Sequence, residues 1–452
     1  MVIKMKNSFK NKRVMILVPH QDDELNIAGG LLCSDYLEKE NTFIVYTTNG
    51  DYFRNKNTRK KEAYKVAKIV DVPQKNIIFM GYPDQLFTED NHVYMTHEPK
   101  TFVYKNNENS SNYNYENLLN DYYELLKKYL PDIIICIDFD SHPDHRATSL
   151  IVEKAIGMLM QKNNDYKPIV YKGFAYPTAY KSINDFDYYP LRKTEFKKED
   201  FSLGEIENPY YEWNERISFP LSKCATNQLL LKNKLYKCIK AHRSQLNLLK
   251  SAKSIINSDN VFWERRTDNL CLNAHIEVSS GNKEYLNDFI LFDCENIMHG
   301  NIQVPELKEV AWVPEYDDTE KTILIKFQKN TIVKSIVLYQ NIAVEDRVEK
   351  ISISVGDEEN KYNLANISKN YIKINNVKTK MIKIKILKSS GKRAGFSEIE
   401  IFDKDRDKLL LTNSQSNKMI NKLYRITNSI TLEKDIFIAR VINKIKRTFT
   451  NF

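Results

Sequence analysis

No apolar run in this chain approaches the ~20 residues that a helix needs to cross a bilayer, so no membrane-spanning helix is expected. The N-terminal stretch "MVIKMKNSFKNKR" is basic but has no apolar core before the first strand begins at Val14. It does not read as a signal peptide, and the expectation is a cytoplasmic protein. The six cysteines, at 33, 136, 224, 238, 271 and 294, include no CxxC pair. That pattern fits free, mostly buried thiols in a reducing compartment better than a disulfide framework. Acids are slightly scarce: 59 Asp+Glu against 68 Lys+Arg give a formal charge of +9. The excess is uneven, because Lys418 to Phe452 carries eight Lys/Arg against Glu433 and Asp435, a net of +6. A nucleic-acid partner is therefore not expected.

The 452 residues suggest two or three domains. Hydrophobic residues at 42% and charged residues at 28% suit soluble cores. The Asn/Lys/Ile-rich composition suits an AT-rich bacterial genome. In the first third, "RVMILV" (13–18), "TFIVYTT" (42–48), "NIIFMG" (76–81) and "DIIICID" (132–138) read as buried strands. Helical patterns fall between them at about 27–40, 58–70 and 115–130. Continuous apolar strands alternating with helices predict an α/β fold, a parallel sheet covered on both faces. From about 163 to 220 the chain is rich in Tyr, Asn and Lys, which predicts long loops of the kind that form binding walls. The stretch 226–249 reads as one helix, with Leu229, Leu230, Ile239 and Leu246 among its apolar positions.

Beyond about 270 the period changes to two. The runs "HIEVSS", "TILIKF", "IVKSIVLY", "KISISV", "YIKI", "MIKIKIL" and "SEIEIF" predict seven antiparallel strands in a β-sandwich. After Asp405 the pattern is helical again. Ile438, Val441, Ile442, Ile445 and Phe449 fall at helical spacing, with Asn443, Lys444, Lys446 and Arg447 facing the other way.

The chemistry concentrates in two places. "VPHQDDELNIAGG" (18–30) sets three acids and a histidine directly after the first strand. Packed like charges repel and are costly to desolvate, so the run is either a solvated turn or holds something positive. "SHPDHRAT" (141–148) follows the fourth strand. In a parallel sheet both runs fall at the carboxyl edge, where sites form. Histidine with carboxylate suits zinc, which needs three protein ligands and one open position for catalysis. Magnesium prefers oxygen ligands and is disfavoured by the histidines. In a turn out of a strand, His20 and Asp23 can converge while Asp22 points elsewhere; His142 and His145 share roughly one helix face. Each run alone has a bland reading as a solvated cap, but their joint occurrence at two strand ends weighs against it.

With these motifs the chain resembles the PIG-L/LmbE-like zinc de-N-acetylases, whose first motif is HPDDE and second HPDH. The resemblance covers roughly 11–255. "TTNGD" (47–51), "TRKKE" (58–62), "MGYPD" (80–84), "PDIII" (131–135) and "AHRSQ" (241–245) fall in family order. Gln21 departs from the family, which usually has proline there; little effect is expected, since the position shapes the turn and supplies no ligand. The resemblance implies a Rossmann-like, mostly parallel sheet and one Zn2+ per chain, bound by His20, Asp23 and His145. It implies Asp22 as general base on the zinc water, and a protonated His142 stabilising the oxyanion or protonating the leaving amine, with Asp144 orienting it. Whether Asp22 or His142 delivers that proton stays open. Arg59 is expected to point toward the sugar or phosphate and Asp84 to bond a sugar hydroxyl; each has a bland reading, as a helix-surface charge and a turn cap. His242 and Gln245 pack on the active-site wall or touch substrate. His92, His97, His275 and His299 have no matching partners and read as ordinary.

The segment 270–405 resembles a discoidin-type, galactose-binding-like jelly roll, through "AHIEVSSGN" (274–282), "TILIKF" and "AGFSEIEIF" (394–402). Such domains often bind glycans, and the alternative is a structural spacer. Trp312 and Tyr316 either stack on a sugar or plug the sandwich. The expected organisation is a deacetylase domain at 11–260, the sandwich at 270–405 and a basic amphipathic helical tail at 410–452. The tail either packs as a solvated helix or lies on an anionic membrane at its inner face. The expected activity is removal of the N-acetyl group from a GlcNAc-type amino sugar in a glycoconjugate or envelope polysaccharide precursor. The Tyr-rich insert and the sandwich favour a substrate larger than a monosaccharide. The alternatives are hydrolysis of another N-acyl amide, or a glycan-binding protein with an inactive catalytic half.

Overall fold

The computed structural model of the chain describes residues 9–52, 54–82, 84, 115–140, 142–175, 188–189, 191, 193–194, 210–291, 311–340, 346–356, 358–405, 419–420 and 422–450. His92, His97, His299 and much of the Tyr-rich stretch lie outside the described residues.

The N-terminal half alternates as read. Strands β1 (Val14–Val18), β2 (Thr42–Thr48), β3 (Ile77–Tyr82), β4 (Ile133–Ile137) and β5 (Ile169–Gly173) are almost wholly buried. Between them run helices α1 (Asp23–Cys33), α2 (Lys56–Ile69), α3 (Tyr115–Tyr129) and α4 (Pro143–Lys162). Neighbours among these five strands pair in parallel. Two further strands, β6 (Ile217–Pro220) and β7 (Asp259–Arg265), join antiparallel at one edge, giving the order β3-β2-β1-β4-β5-β7-β6. The sheet is thus mostly parallel but mixed. It takes in β7 and so extends past the expected end at residue 260. Its order reverses between β1 and β4, the switch point where crevices open beyond the carboxyl ends of the strands.

The expected single helix at 226–249 is instead several short pieces. Leu230–Lys232 is a 3-10 turn, helix α5 covers Lys234–Ala241, and Leu246–Lys250 is a separate turn of helix. The cause is local. The Asn233 side chain accepts from the Tyr236 amide and starts α5, while its Nδ2 donates to the Ala225 and Asn227 carbonyls. Such side-chain competition with the backbone favours caps over helix interiors.

The C-terminal half is an antiparallel sandwich. Its strands are β8 (His275–Val278), β9 (Thr322–Gln340), β10 (Arg347–Val355), β11 (Glu358–Asn363), β12 (Lys369–Ser390) and β13 (Phe396–Phe402). Two pairs of the expected runs are fused, into β9 and β12. These two strands stay paired through irregularities at Lys326/Thr331 and Val333/Ser335, where bulges let a sheet bend without ending. The first half of β9 pairs with β8 and the second half with β13. Ile323, Ile325 and Ile384 from one half and Ile336, Ile372 and Ile399 from the other share one core.

Trp312 plugs that core. It is fully buried, stacks on Phe396 with ring centroids 6.2 Å apart, and donates its Nε1–H to the Ser280 carbonyl at 2.8 Å. Tyr316 is wholly exposed. The Trp312 backbone bridges Phe396 through two hydrogen bonds, and a Cβ at Gly395 would lie 1.9 Å from the Trp312 carbonyl oxygen. Gly395→Ala is therefore expected to cost about 2 kcal/mol or more of stability by overpacking against backbone that cannot yield. Thermal unfolding measures it.

The halves share buried polar contacts. Arg265 on β7 pairs with Glu400 on β13 and donates to the Phe289 carbonyl at 3.0 Å. The last helix, α6 (Lys422–Thr450), returns to the first half. There Asn428 bonds the backbone of Leu230 and Gln228, and Asp435 meets Tyr236 and Lys240 at 2.8 Å. The Phe449 side chain lies outside the description.

Candidate active site

Parallel pairing of β1 with β4, from Val14↔Ile133 to Leu17↔Cys136, sets their carboxyl ends side by side. The chain leaves β1 through Pro19 and His20 and enters α1 with Asp22 at its N-cap. It leaves β4 and enters α4 with His142 at the N-cap and Pro143 next, where a missing amide hydrogen costs nothing. Two loops 120 residues apart in sequence thereby deliver their side chains to one crevice.

The Asp23 Oδ2 lies 3.1 Å from His20 Nδ1 and 3.2 Å from His145 Nε2. On its other nitrogen, His145 donates Nδ1–H to Asp140 Oδ2 at 2.7 Å. That bond keeps a proton on Nδ1 and turns Nε2 toward the Asp23 carboxylate oxygen. An imidazole nitrogen and a carboxylate oxygen at 3.2 Å need a proton or a cation between them. A tetrahedral ion with bonds of ~2.1 Å separates its ligand atoms by roughly 3.4 Å, so the spacing suits a metal. The donor atoms of His20, His142 and His145 also lie within 4.8 Å of one another, as do those of His20, Asp84, His142 and Asp144. The residues present fit a divalent ion, and the cluster offers more donors than three.

The charges respond to this crowding. Burial pushes the Asp22 carboxyl up to about 6, against the pull of Arg59. Burial would raise Asp23 too, but the neighbouring imidazoles of His145 and His20 outweigh it and hold it well below the usual carboxylate range. Burial works to lower His145, yet Asp140 and Asp23 raise it to about 9. His142 is lowered to about 2 by burial and by the adjacent His20 and His145. These neighbours favour a neutral His142, whereas the expectation from sequence was a protonated ring. The His142 Nδ1 accepts the Asp144 backbone N–H at 3.2 Å, so a neutral ring carries its proton on Nε2. Asp144 meets His142 through this amide, while its carboxylate reaches His20 Nε2 at 3.1 Å.

Asp22 receives Arg59 Nη2 at 2.9 Å, so Arg59 clamps an acid of the site rather than standing as a surface charge. Gln21 does more than shape the turn. Its amide donates to the Thr48 carbonyl at 2.7 Å, and its oxygen accepts Arg59 Nε at 3.3 Å. Gly50 makes room for this, with φ of 62° and space where a Cβ would meet Gln21 Oε1 at 2.3 Å. The Asp84 carboxylate lies 3.3 Å from His20 Nε2. His242 caps α5 and joins Glu24 at 2.8 Å, so it packs on the wall of the site; Gln245 bonds Ser244. His275 is exposed beside Glu277.

Sequence reasoning assigned no role to Asp140 or Glu24, and to Gln21 only the shaping of the turn. Asp140 carried a signal, as an acid just upstream of a histidine pair, since metal-binding histidines usually donate their second N–H to a carboxylate.

Fold and site together define a doubly wound α/β domain with a His/Asp cluster fit for a metal ion at its switch point. Residues 15–156 match the family model described as PIG-L: GlcNAc-PI de-N-acetylase, so the chain carries a PIG-L domain over less than a third of its length. No curated protein matches the chain significantly. Among solved structures, N,N'-diacetylchitobiose deacetylase from Pyrococcus horikoshii is similar at 13% identity and TM-score 0.33, over 58% of this chain and 87% of that one. A fucose-binding module from Streptococcus pneumoniae is similar at 14% identity and TM-score 0.25, over 30% of this chain and 98% of that one. The CBM32-1 and CBM32-2 domains of Clostridium perfringens ZmpB are similar at 18% identity and TM-score 0.18, and this chain covers 28% of that one.

Proposed function

We propose that the protein is a zinc-dependent hydrolase that removes the acetyl group from an N-acetylated, GlcNAc-type amino sugar within a glycoconjugate or envelope polysaccharide precursor. One observation supports this reading: the Asp23 Oδ2 lies 3.1 Å from His20 Nδ1 and 3.2 Å from His145 Nε2, and the donor atoms of His20, His142 and His145 lie within 4.8 Å of one another. The PIG-L match supplies the reaction class. His20, Asp23 and His145 would hold the ion. When bound, zinc supplies a Lewis acid that acidifies water and polarises the amide carbonyl.

The side chains divide the remaining work. Asp22, steadied by Arg59, accepts a proton from the attacking water as its oxygen bonds to the acetamide carbon. The neutral His142 donates its Nε2–H to the carbonyl oxygen as negative charge develops there. The C–N bond then breaks, and the amine nitrogen takes a proton as acetate departs. With His142 neutral and Asp22 newly protonated, Asp22 is the donor this arrangement favours. Asp140 holds the His145 ring in its tautomer. Asp84 and Arg59 border the crevice and are assigned to sugar binding and acid positioning. Glycan contact by the sandwich belongs to the same proposal, with exposed Tyr316 as a stacking surface. So does a cytoplasmic location, which the free thiols of Cys33, Cys136, Cys224, Cys238 and Cys271 suit.

The test is acetate release across N-acetylated mono-, oligo- and lipid-linked saccharides. Turnover of at least one glycan-linked N-acetylglucosamine supports the proposal. Release from N-acyl amino acids only, or from nothing in the panel by metal-loaded protein, contradicts it.

A further inference from the structure

We propose that the outward face of α6 docks the protein on an anionic membrane surface. Helices on a soluble protein normally turn their apolar stripe inward. This one is apolar on two sides: Leu432, Ile436 and Ala439 pack on the core of the first half, where Asn428 and Asp435 are also buried, and a second stripe faces outward. Leu423, Ile426, Ile430, Phe437, Val441 and Ile445 follow one another at spacings of three, four or seven and are exposed by between 40% (Val441) and 70% (Leu423). With Ile438, the helix carries seven of the 17 large apolar side chains exposed among the described residues. Single exposed apolar residues are ordinary, whereas a contiguous patch of this kind marks an interaction site.

The inward polar positions are not accidents of a misplaced helix. Asn428 bonds the Leu230 amide and the Gln228 carbonyl, and Asp435 is held by Tyr236 and Lys240. Asn443 donates to the Arg243 carbonyl at 3.1 Å. These bonds fix the rotation of α6 and thereby hold the apolar stripe outward.

The charges choose the occupant. Lys422, Lys434, Arg440 and Lys444 are exposed on the borders of the stripe or within it, against the single acid Glu433. Lys422 and Arg440 are 18 residues apart, five turns, and so stand on the same side. An apolar strip rimmed by cations complements acyl chains under anionic headgroups. Two copies of this face, laid together, would instead oppose cation to cation with little acid to offset them. No helix among the described residues is long and apolar enough to cross a membrane, so α6 would lie in the surface rather than span it. The platform beneath α6 is continuous with the active-site wall. Arg243 meets α6, His242 meets Glu24, and Ser244 bonds Glu62 on α2.

The experiment sediments the full-length protein with vesicles of phosphatidylcholine alone or with about one-third phosphatidylglycerol. A double variant, Ile430→Asp with Phe437→Asp, is compared after circular dichroism and thermal unfolding establish that it folds like the parent. The parent should partition onto the anionic vesicles at least about tenfold more than onto neutral ones, and the variant should lose most of that binding. Equal sedimentation with both vesicles, or unchanged binding by the variant, overturns the proposal. So does a parent that sediments as a dimer without binding vesicles while the variant is a monomer, because a second copy would then be the occupant. Acetate release from a soluble saccharide is scored in parallel, so failure of docking is distinguishable from failure of the hydrolase reading.

Discussion

Asp22→Asn should leave the fold intact and reduce turnover about 10²–10⁴-fold, the usual contribution of a general base. The substitution keeps the shape of the side chain and removes its ability to take a proton. Asp22 is suited to the task by its place: it sits at the N-cap of α1, one residue before Asp23, with Arg59 Nη2 at 2.9 Å. Arg59 loses its charge partner in the variant but keeps Gln21 Oε1. Metal content should not change, because Asp22 is not among the donors that face His145 Nε2. The prediction is therefore a split: wild-type metal stoichiometry with residual turnover. Loss of metal alongside loss of turnover would reassign Asp22 as a ligand. Turnover within a few-fold of wild type would remove it from the chemistry.

The second large effect concerns the join between the halves. Glu400→Ala should cost about 3–5 kcal/mol, because it strands the buried guanidinium of Arg265 without its counter-charge. The Tyr339 hydroxyl, which donates to Glu400 at 2.7 Å, loses its acceptor as well. Glu398, two residues earlier, provides the contrast. Burial first and then nearby Asp288 raise its pKa well above the ordinary value, which favours the neutral acid. The folded chain keeps a proton there that the unfolded chain releases above about pH 4.3. Native Glu398 thus favours folding below that pH and loses this contribution as pH rises. Glu398→Gln should be at least as stable as the parent at pH 7 and show no advantage near pH 4. Denaturation of both variants at the two pH values tests the pair, and equal losses for Glu400→Ala and Glu398→Gln would contradict it.

How much of this was legible in the sequence depended on periodicity and on range. The four strands of the first third fall within about a residue of their expected positions, because continuous Ile/Val runs bounded by turn residues admit few other folds. The carboxyl-edge location of His20 and His145 followed from the same pattern. What escaped was decided by side chains or by distant partners. Asn233 broke a stretch whose apolar spacing read as one helix. β9 and β12 ran through bulges that interrupt the alternation without ending the strand. β11, with the sequence EENKYN, has almost no apolar member, because it pairs only with β10 at the sheet edge. Its backbone pairing leaves no periodic trace. The tail was legible as a helix, but its stripe could not be assigned a direction. Orientation came from Asn428 and Asp435, whose partners lie about 200 residues away.

In the site, the residues of the two motifs converge, whereas their supporting contacts were hidden. Gln21 could not be read as a link between Thr48 and Arg59, because that link needs β1, β2 and α2 to be assembled first. The downward push on His142 likewise comes from burial and from two neighbouring imidazoles, which spacing alone does not reveal.

The central claim is that His20, Asp23 and His145 grip one divalent ion. Its most direct test is elemental analysis of the purified full-length protein and of Asp23→Ala, both dialysed against a weak chelator and re-exposed to zinc. The account predicts about one zinc-class ion per chain in the parent and far less in the variant. A parent that releases acetate while holding no metal would contradict it, as would an Asp23→Ala protein that retains the full complement.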